Sequence, residues 1–148
     1  MPEIVEVHTI ARALKKILSD RKLTAIKYDS KSKFSRHPIK KLDQLTLPCK
    51  IKSITARGKK IIFTLDSGQF LVSSLGMEGR WVPKPENHSN LWIECEKFRF
   101  YYDDSRHFGD FIVALNQSEL DEVMKTVGYC LLTQREIGRA SCRERVSS

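Results

Sequence analysis

The first residues of the chain, MPEIVEV, include groups that can do chemistry: Pro2, Glu3 and Glu6. Once Met1 is removed, Pro2 presents a secondary amine. Because an α-amino group titrates near pH 8, an appreciable fraction of this amine is an unprotonated nucleophile at about neutral pH. Two carboxylates follow within one helical turn of it. The start of the chain therefore has to be placed on a secondary-structure element before any role is assigned.

Helical periodicity supplies that element, because apolar residues recur at i, i+3, i+4 and i+7 spacing. This stripe consists of Val7, Ile10, Ala11, Leu14, Ile17 and Leu18. It predicts an amphipathic helix over residues 3–19, and proline suits the first turn of a helix. Glu3 and Glu6 fall within about 60° of the stripe's centre, so we expect both carboxylates to face inward, where each needs a partner. The alternative is that Pro2 is an ordinary first-turn proline and that the two acids only complement the helix dipole.

The rest of the chain has a different period, typical of strands. Short runs rich in β-branched and aromatic residues are separated by turn residues. The predicted strands are KLTAIKYD, CKIKSITA, KIIFTLD, QFLVSSL, LWIECE and KFRFYYDD. KSKFSRHPIKK, between the first two, is predicted to be an exposed loop, and SELDEVMKTV predicts a second helix at 118–127 with Ser118 as its N-cap. The fold class is mainly β with flanking helices (α+β): a two-sheet antiparallel β-sandwich with an N-terminal and a C-terminal helix.

Size and charge limit the class of protein. The 148 residues, 41% of them hydrophobic, suffice for one domain, and the net charge of +8 favours a polyanionic partner. Neither a membrane-spanning run nor an export signal is evident, so we expect an intracellular protein that does not contact membranes. The cysteines lack the CxxC spacing of zinc or redox sites and are expected to be reduced thiols. They are Cys49, Cys95, Cys130 and Cys142.

The last residues, 136–148, differ abruptly in composition from the segment before them. EIGRASCRERV can be back-translated into the sequence of a common short-read sequencing adapter. We therefore expect residues 136–148 to be a non-native tail and the natural reading frame to be cut short; the alternative is a genuine basic tail. Three arginines and two glutamates give this segment a net charge of +1, which leaves +7 of the +8 to the remaining residues.

Four motifs resemble, in order and spacing, those of the formamidopyrimidine-DNA glycosylase and endonuclease VIII family. They are the MPE start with EV following, ARGKKI at 56–61, SLGMEGRW at 74–81 and DSRHFG at 104–109. The resemblance implies a bifunctional base-excision repair enzyme that removes oxidised bases and nicks the abasic site. It also implies that residues 1–135 are the N-terminal catalytic domain of a longer protein. We expect this fragment to lack the helix-two-turn-helix and zinc-finger domains with which such enzymes continue, and we therefore expect no cofactor or metal in it, although the intact family usually carries one structural zinc.

The resemblance implies roles for the residues with which the chain begins. Pro2 would be the nucleophile that attacks C1′ of a deoxyribose and forms an iminium ion, and Glu3 would act as general acid and base. Glu6 would hold the helix start in place. Lys59, in the ARGKK turn, would reach the lesion or its phosphate and assist elimination. Without the resemblance, Lys59 would be no more than part of a solvated basic turn.

The resemblance also implies contacts with damaged double-stranded DNA. An enzyme that acts on a base in a duplex has to turn the nucleotide out of the stack, and side chains fill the gap. Met77, Arg106 and Phe108 map to the residues that do this in the family, and His88 maps to a histidine that contacts the DNA backbone. Met77 and Phe108 could instead be core residues, and His88 could be incidental.

Two other functional classes stay open. One is a non-catalytic β-sandwich that binds nucleic acid, and the other is an interaction or structural module that binds no DNA. The glycosylase hypothesis includes a monomeric protein whose affinity depends steeply on salt, because lysine and arginine contacts to phosphates would supply most of the binding.

Overall fold

The computed structural model describes residues 4–76, 79–104 and 109–125, with Ile4 described by its backbone alone. The chain divides into two compact units, Met1–Leu115 and Asn116–Ser148. In the first unit the elements are α1 (Ile4–Leu18), β1 (Lys22–Tyr28), β2 (Cys49–Arg57), β3 (Lys60–Leu65), β4 (Phe70–Ser74), β5 (Arg80–Val82), β6 (Ser89–Cys95), β7 (Phe98–Asp103) and β8 (Asp110–Ala114). Single 3₁₀ turns at Lys33–Ser35 and Leu42–Gln44 lie between β1 and β2.

The strands form one hydrogen-bonded order, β5-β7-β6-β1-β2-β3-β4-β8, in which every pairing is antiparallel. The link in the middle is short, because β1 and β2 pair only through Lys22 with Lys50 and Leu23 with Cys49. This short link divides the order into two groups of four strands, β5-β7-β6-β1 and β2-β3-β4-β8.

The two groups pack face to face around a shared aromatic cluster. Trp81 of β5 lies with its ring centroid 5.9 Å from that of Phe63 in β3 and 6.2 Å from that of Phe111 in β8. These strands are distant in the hydrogen-bonded order, so the contacts have to cross the space between two layers. Alternating burial along β6, where Leu91, Ile93 and Cys95 are buried, is what a strand with one face in a core requires. The predicted mainly-β sandwich with an N-terminal helix is confirmed.

Helix α1 packs against β2 and β3 and buries one narrow face. That face consists of Val7, Ala11, Leu14 and Leu18, all at most 3% exposed. Ile17, which the sequence placed in the same stripe, is 40% exposed, and Ile10 is only partly buried. Without these two residues the centre of the buried face moves away from Glu6, to about 110° from it.

Glu6 is accordingly exposed, and the prediction that its carboxylate faces inward is wrong. The error has a simple physical cause. Ile10 and Ile17 line the flank of the stripe that is nearer to Glu6, and counting them as core residues drew the predicted centre towards that glutamate. Glu3 lies outside the described residues.

Two strands escaped the sequence prediction. β5 has only three residues, too few for alternation to be visible, and β8, DFIVA, follows directly on DSRHFG without a separating turn signal. Both gain their hydrogen-bond partners from strands distant in sequence, since β5 pairs with β7 and β8 pairs with β4. Such pairing is a long-range effect that a local pattern does not contain.

The segment KSKFSRHPIKK is not the exposed loop that its composition predicted. Ser32 is 2% and Phe34 5% exposed, and the ring of Phe34 lies 6.2 Å from that of Tyr28. Within the segment, the Phe34 amide donates to Ser32 Oγ at 3.2 Å, which caps the short 3₁₀ turn. The basic residues around Phe34 made the segment look solvent-exposed in the sequence, although Ser32 and Phe34 anchor its 3₁₀ turn in the structure.

In the second unit, residues 117–125 are helical. The helix begins earlier than predicted, because the side chain of Asn116 accepts a hydrogen bond from the Glu119 amide at 2.9 Å and so takes the N-cap role assigned to Ser118. No helix among the described residues has the length and apolar character needed to cross a membrane.

Candidate functional site

The tight turn between β2 and β3 presents the predicted lysine. Arg57 pairs with Lys60, so Gly58 and Lys59 are the two central residues of a hairpin loop. Gly58 has a φ of 60°, a left-handed value that glycine adopts without a steric penalty and that favours glycine at the first central position. Lys59 follows it at the tip of this two-residue turn and is half-buried.

The strand register places three loops at the same end of the sheet. Lys60 at the start of β3 pairs with Ser74 at the end of β4, and Ser74 pairs in turn with Asp110 at the start of β8. The Lys59 turn, the loop after Ser74 and the loop before Asp110 therefore leave the sheet side by side. These are the three loops on which the sequence placed Lys59, Met77 and the pair Arg106 and Phe108.

The start of helix α1 lies toward the same end of the sheet. Its C-terminal end is fixed at the opposite end of β2, where the Asp20 amide donates to the Ile51 carbonyl at 2.8 Å. From there a 15-residue helix extends about 22 Å. The buried face of α1, from Val7 to Leu18, contacts β2 more than any other strand, and β2 spans about 20 Å from Ile51 to Arg57, so we infer that the helix begins toward the Arg57 end.

A buried tyrosine of β7 lies under two of the loops. Tyr102 is 6% exposed, and its hydroxyl lies 3.0 Å from Asp104 Oδ2 and 3.3 Å from the carbonyl oxygens of both Ser74 and Leu75. The hydroxyl has a single proton to donate, and the charged carboxylate is the strongest of these acceptors. Burial raises the pKa of Tyr102 well above its usual value, and the neighbouring carboxylate of Asp104 raises it further, so the hydroxyl keeps its proton.

The ends of each loop are closed by their own hydrogen bonds. Gly79 N donates to the Leu75 carbonyl at 2.8 Å, and Gly109 N donates to Asp104 Oδ2 at 2.8 Å. The two glycines also make room for the tyrosine, because a Cβ on either one would overlap the Tyr102 hydroxyl. The loops 75–79 and 104–109 are thus joined at their bases around one hydroxyl group.

His88 is held beside the second of these loops by its backbone. The His88 amide donates to Asp103 Oδ1 at 3.0 Å, and the Asp104 amide donates to the His88 carbonyl at 3.3 Å. Its side chain is exposed and borders an open cleft that is also lined by Arg80, Glu86, Asn87 and Asp103. The structure therefore brings His88 next to the DSRHFG segment, as a residue accessible to a partner from solvent.

A cation from the β1–β2 connection reaches the same loop. Lys33 Nζ donates to the Gly109 carbonyl at 2.5 Å and lies 3.9 Å from Asp110 Oδ1. Its side chain is about one quarter exposed, at 26%. The end of loop 104–109 is therefore fixed from one side by Asp104 and from the other by a lysine that was predicted to lie in a solvated loop.

The predicted site residues divide into two sets. Glu6, Lys59 and His88 are described, and all belong to α1 or to the loops discussed above. The others lie outside the described residues: Pro2, Glu3, Met77, Arg106 and Phe108. Their assigned roles stay predictions, although the bases of the loops that carry the last three are described.

Sequence reasoning missed Tyr102, and it included Asp104 in the DSRHFG motif without giving it a role. The only available signal was the position of Tyr102 on the buried face of an alternating strand, because a phenol in a core requires a hydrogen-bond partner. Within the described ranges, no three histidine, cysteine or acidic side chains cluster so as to hold a metal ion.

A leading helix on a two-layer sheet, with a hairpin lysine and two glycine-flanked loops opening at one edge, defines the class of domain with which certain DNA glycosylases begin. A family model described as the formamidopyrimidine-DNA glycosylase N-terminal domain matches residues 1–111. The chain belongs to this family of DNA glycosylases, as its four motifs predicted.

Individual members of this family are also similar to the chain in sequence. The formamidopyrimidine-DNA glycosylase of Desulfitobacterium hafniense is 27% identical over 127 residues, covering 82% of this chain and 46% of that protein. That of Ligilactobacillus salivarius is 30% identical over 115 residues, covering 74% of this chain and 41% of that protein. The chain thus spans less than half the length of these relatives.

Solved structures agree. The crystal structure of the enzyme from Thermus thermophilus matches with a TM-score of 0.70 at 25% identity, covering 78% of this chain and 41% of that one. The enzyme from Lactococcus lactis, solved bound non-covalently to DNA containing an abasic site, matches with a TM-score of 0.67 at 27% identity, covering 83% of this chain and 48% of that one.

Proposed function

We propose that this chain is the catalytic N-terminal part of a base-excision repair enzyme that removes oxidised bases from duplex DNA and then nicks the strand at the abasic site. The observation that supports this most directly is the sheet register, which places the Lys59 turn beside the bases of loops 75–79 and 104–109, at the end of β2 where α1 begins. A nucleophile at the N-terminus of α1 would therefore face the loops that would hold the DNA open.

In the proposed reaction the Pro2 nitrogen attacks C1′ of the damaged nucleotide and the bond from C1′ to the base breaks. The base leaves with the bonding electrons and takes up a proton, for which Glu3 is the candidate donor. The proline nitrogen then loses its proton, the C1′–O4′ bond breaks as O4′ takes up a proton, and the opened sugar is left joined to the proline as an iminium ion. That cation acidifies C2′, so removal of a C2′ proton expels the 3′ phosphate and cuts the strand.

Lys59 would reach the lesion or its phosphate during these steps and assist elimination. A lysine at the tip of a two-residue hairpin has a well-defined position, which suits a group that must meet a negative charge as it develops. Glu6 is exposed in the first turn of α1, where its negative charge would interact favourably with the positive end of the helix dipole. It would thereby stabilise the helix start that carries Pro2.

Loops 75–79 and 104–109 would contact the DNA from which the base has been turned out. Met77, Arg106 and Phe108 would fill the gap, and stacking of a base on an aromatic ring is worth about 1–3 kcal/mol. His88, exposed next to the second loop, would contact the DNA backbone.

Borohydride trapping tests the proposal directly, because borohydride reduces the iminium ion to a stable covalent bond. The 148-residue chain is incubated with a duplex that contains one abasic site, beside a preparation whose N-terminal amine is acetylated. We expect a covalent protein–DNA band with the first and none with the second. A band of equal strength from the acetylated protein would refute Pro2 as the nucleophile.

The non-catalytic alternative differs in its response to the same variants. A nucleic-acid-binding module would bind DNA equally well with the blocked terminus and would never become covalently linked. The measurement that separates both from a protein without DNA affinity is the salt dependence of binding, which should be steep for a chain with a net charge of +8. An affinity that does not change with salt would contradict DNA binding through phosphate contacts.

A further inference from the structure

We propose that the Tyr102 hydroxyl is a positioning group that joins the bases of loops 75–79 and 104–109 into one unit. Nothing in the roles assigned above requires this coupling. The inference deepens the proposed function, since it concerns how the gap-filling residues are held, and it rests on that function for its consequence on DNA.

The coupling follows from the partners of the hydroxyl. Its oxygen lies 3.3 Å from the carbonyls of Ser74 and Leu75, at the beginning of the first loop, and its proton is donated to the Asp104 carboxylate, at the beginning of the second. Asp104 in turn accepts from Gly109 N, at the far end of its own loop. A single side chain thereby contacts the bases of two loops that are 25 or more residues apart in sequence.

The surroundings of the hydroxyl are shaped for it. Gly79 and Gly109 approach so closely that a methyl group on either would overlap the hydroxyl oxygen, and a Cβ on Gly109 would also lie 2.6 Å from the Ser74 carbonyl. Beneath them the Tyr102 ring packs 5.4 Å from that of Trp81, which prevents it from retreating. A phenol fixed on all sides transmits a displacement of one loop base to the other, because close-packed groups cannot absorb it.

Simple core packing would give a different result when the hydroxyl alone is removed. Tyr102→Phe keeps the ring and its contact with Trp81 but leaves the Asp104 carboxylate with one hydrogen-bond donor fewer. If the hydroxyl couples the loops, both loop bases should open more often. If the ring alone matters, neither should.

Amide hydrogen exchange of the free 148-residue chain, followed by NMR, tests the coupling without DNA. We expect Tyr102→Phe to raise the exchange rate of Gly109 roughly tenfold, the factor that corresponds to losing one buried hydrogen bond to a carboxylate, and to raise that of Gly79 as well, because its loop base loses the contact with the hydroxyl oxygen. The matched control is Tyr101→Phe, the same change one residue earlier, on the opposite face of β7, where the ring contacts Trp92. It should leave both rates unchanged.

Asp104→Asn is the second variant, because it keeps the shape of the side chain and removes the charge that attracts the phenol proton. It should raise the same two exchange rates. If Gly109 responds to either variant while Gly79 does not, or if Tyr101→Phe has the same effect as Tyr102→Phe, the coupling is refuted.

The consequence for DNA is measured with a duplex that contains a tetrahydrofuran abasic analogue opposite 2-aminopurine, whose fluorescence reports insertion of side chains into the stack. At saturating protein, the wild-type chain should change the fluorescence, and Tyr102→Phe should lose much of that change while Tyr101→Phe keeps it. An unchanged signal in Tyr102→Phe would overturn the positioning role. Absence of any signal with the wild-type chain would count against the proposed function, whereas the exchange experiment decides the coupling by itself.

Discussion

Trp81 is the residue whose replacement should most clearly reveal how the two layers are held together. It is 7% exposed, and its indole N–H donates to Ser73 Oγ at 2.9 Å, where Ser73 is fully buried at 0% exposure. Its ring contacts aromatic rings from β3, β7 and β8 at centroid distances of 5.9, 5.4 and 6.2 Å. It is also the second residue of β5, directly after loop 75–79.

The cost of Trp81→Phe has two parts. Loss of the N–H leaves the Ser73 hydroxyl buried without its donor, which costs about 1–3 kcal/mol. The smaller ring leaves part of the indole volume empty between the layers, which adds about 1 kcal/mol or more. We therefore expect the free energy of unfolding to fall by about 2–4 kcal/mol, a large share of the roughly 5–15 kcal/mol that stabilises a typical domain.

Trp92→Phe is the matched control, since the chain has only two tryptophans. Trp92 is half-buried on the outer face of β6, contacts only the Tyr101 ring among the described aromatic residues, and donates to Glu94 at 3.2 Å. Its replacement should cost less than about 1 kcal/mol. Urea unfolding followed by circular dichroism at fixed pH and salt measures both values.

A double-mutant cycle makes the reasoning refutable. Ser73→Ala removes the hydroxyl that Trp81→Phe would leave without a donor, so the two substitutions together should cost clearly less than the sum of their separate effects. Strictly additive costs would refute the hydrogen bond as a contributor. Equal destabilisation by Trp81→Phe and Trp92→Phe would refute the inter-layer role of Trp81.

Two further predictions concern the thiols and the loop glycines. Burial raises the pKa of Cys49 from 9.0 to about 11 and that of Cys95 to about 12, with smaller contributions from nearby charges. The native state therefore keeps protons that the unfolded chain releases, so the free energy of unfolding should be full below about pH 9 and fall as the pH rises toward about 11. Urea unfolding at about pH 8 and about pH 10 should show a smaller fall in a Cys49→Ala, Cys95→Ala double variant than in the wild-type chain. An equal fall in both proteins would contradict this. Gly109→Ala, whose Cβ would overlap the Tyr102 hydroxyl, should lower the free energy of unfolding by about 3 kcal/mol. Gly68→Ala, at φ +87° but with nothing within 4 Å of the new Cβ, should lower it by only about 1 kcal/mol. Thermal unfolding compares the two variants, and the reverse order would refute the crowding argument.

The parts of the fold that the sequence predicted are those that depend on local patterns. The six predicted strands have alternating or fully apolar faces that are visible within each segment, and α1 has its period within 15 residues. β5 and β8 could not be predicted in this way, because a three-residue strand and a strand fused to a motif are defined by their partners. The exposed position of Glu6 depended on which of the flanking isoleucines the sheet covers.

The site was predictable only to the level of its loops. The motifs identified which loops matter, but the contacts that join them depend on strand pairing over long sequence distances. Tyr102 approaches Ser74 because β5, which follows loop 75–79, pairs with β7 and because the two layers face each other. No local pattern contains that relationship, so the phenol could be recognised in the sequence only as a polar group in need of a partner.

The register between β3, β4 and β8 is therefore as much a functional feature as any of the side chains. Because successive residues of a strand point to opposite faces, a slip of one residue between β4 and β8 would exchange the two faces of one strand. It would also separate Ser74 from Asp110 and move the bases of the two loops apart. On β4 such a slip would turn Leu71 away from the core and separate Ser73 from the Trp81 indole N–H, which donates to it at 2.9 Å, so the packing between the layers helps to fix where the loops meet.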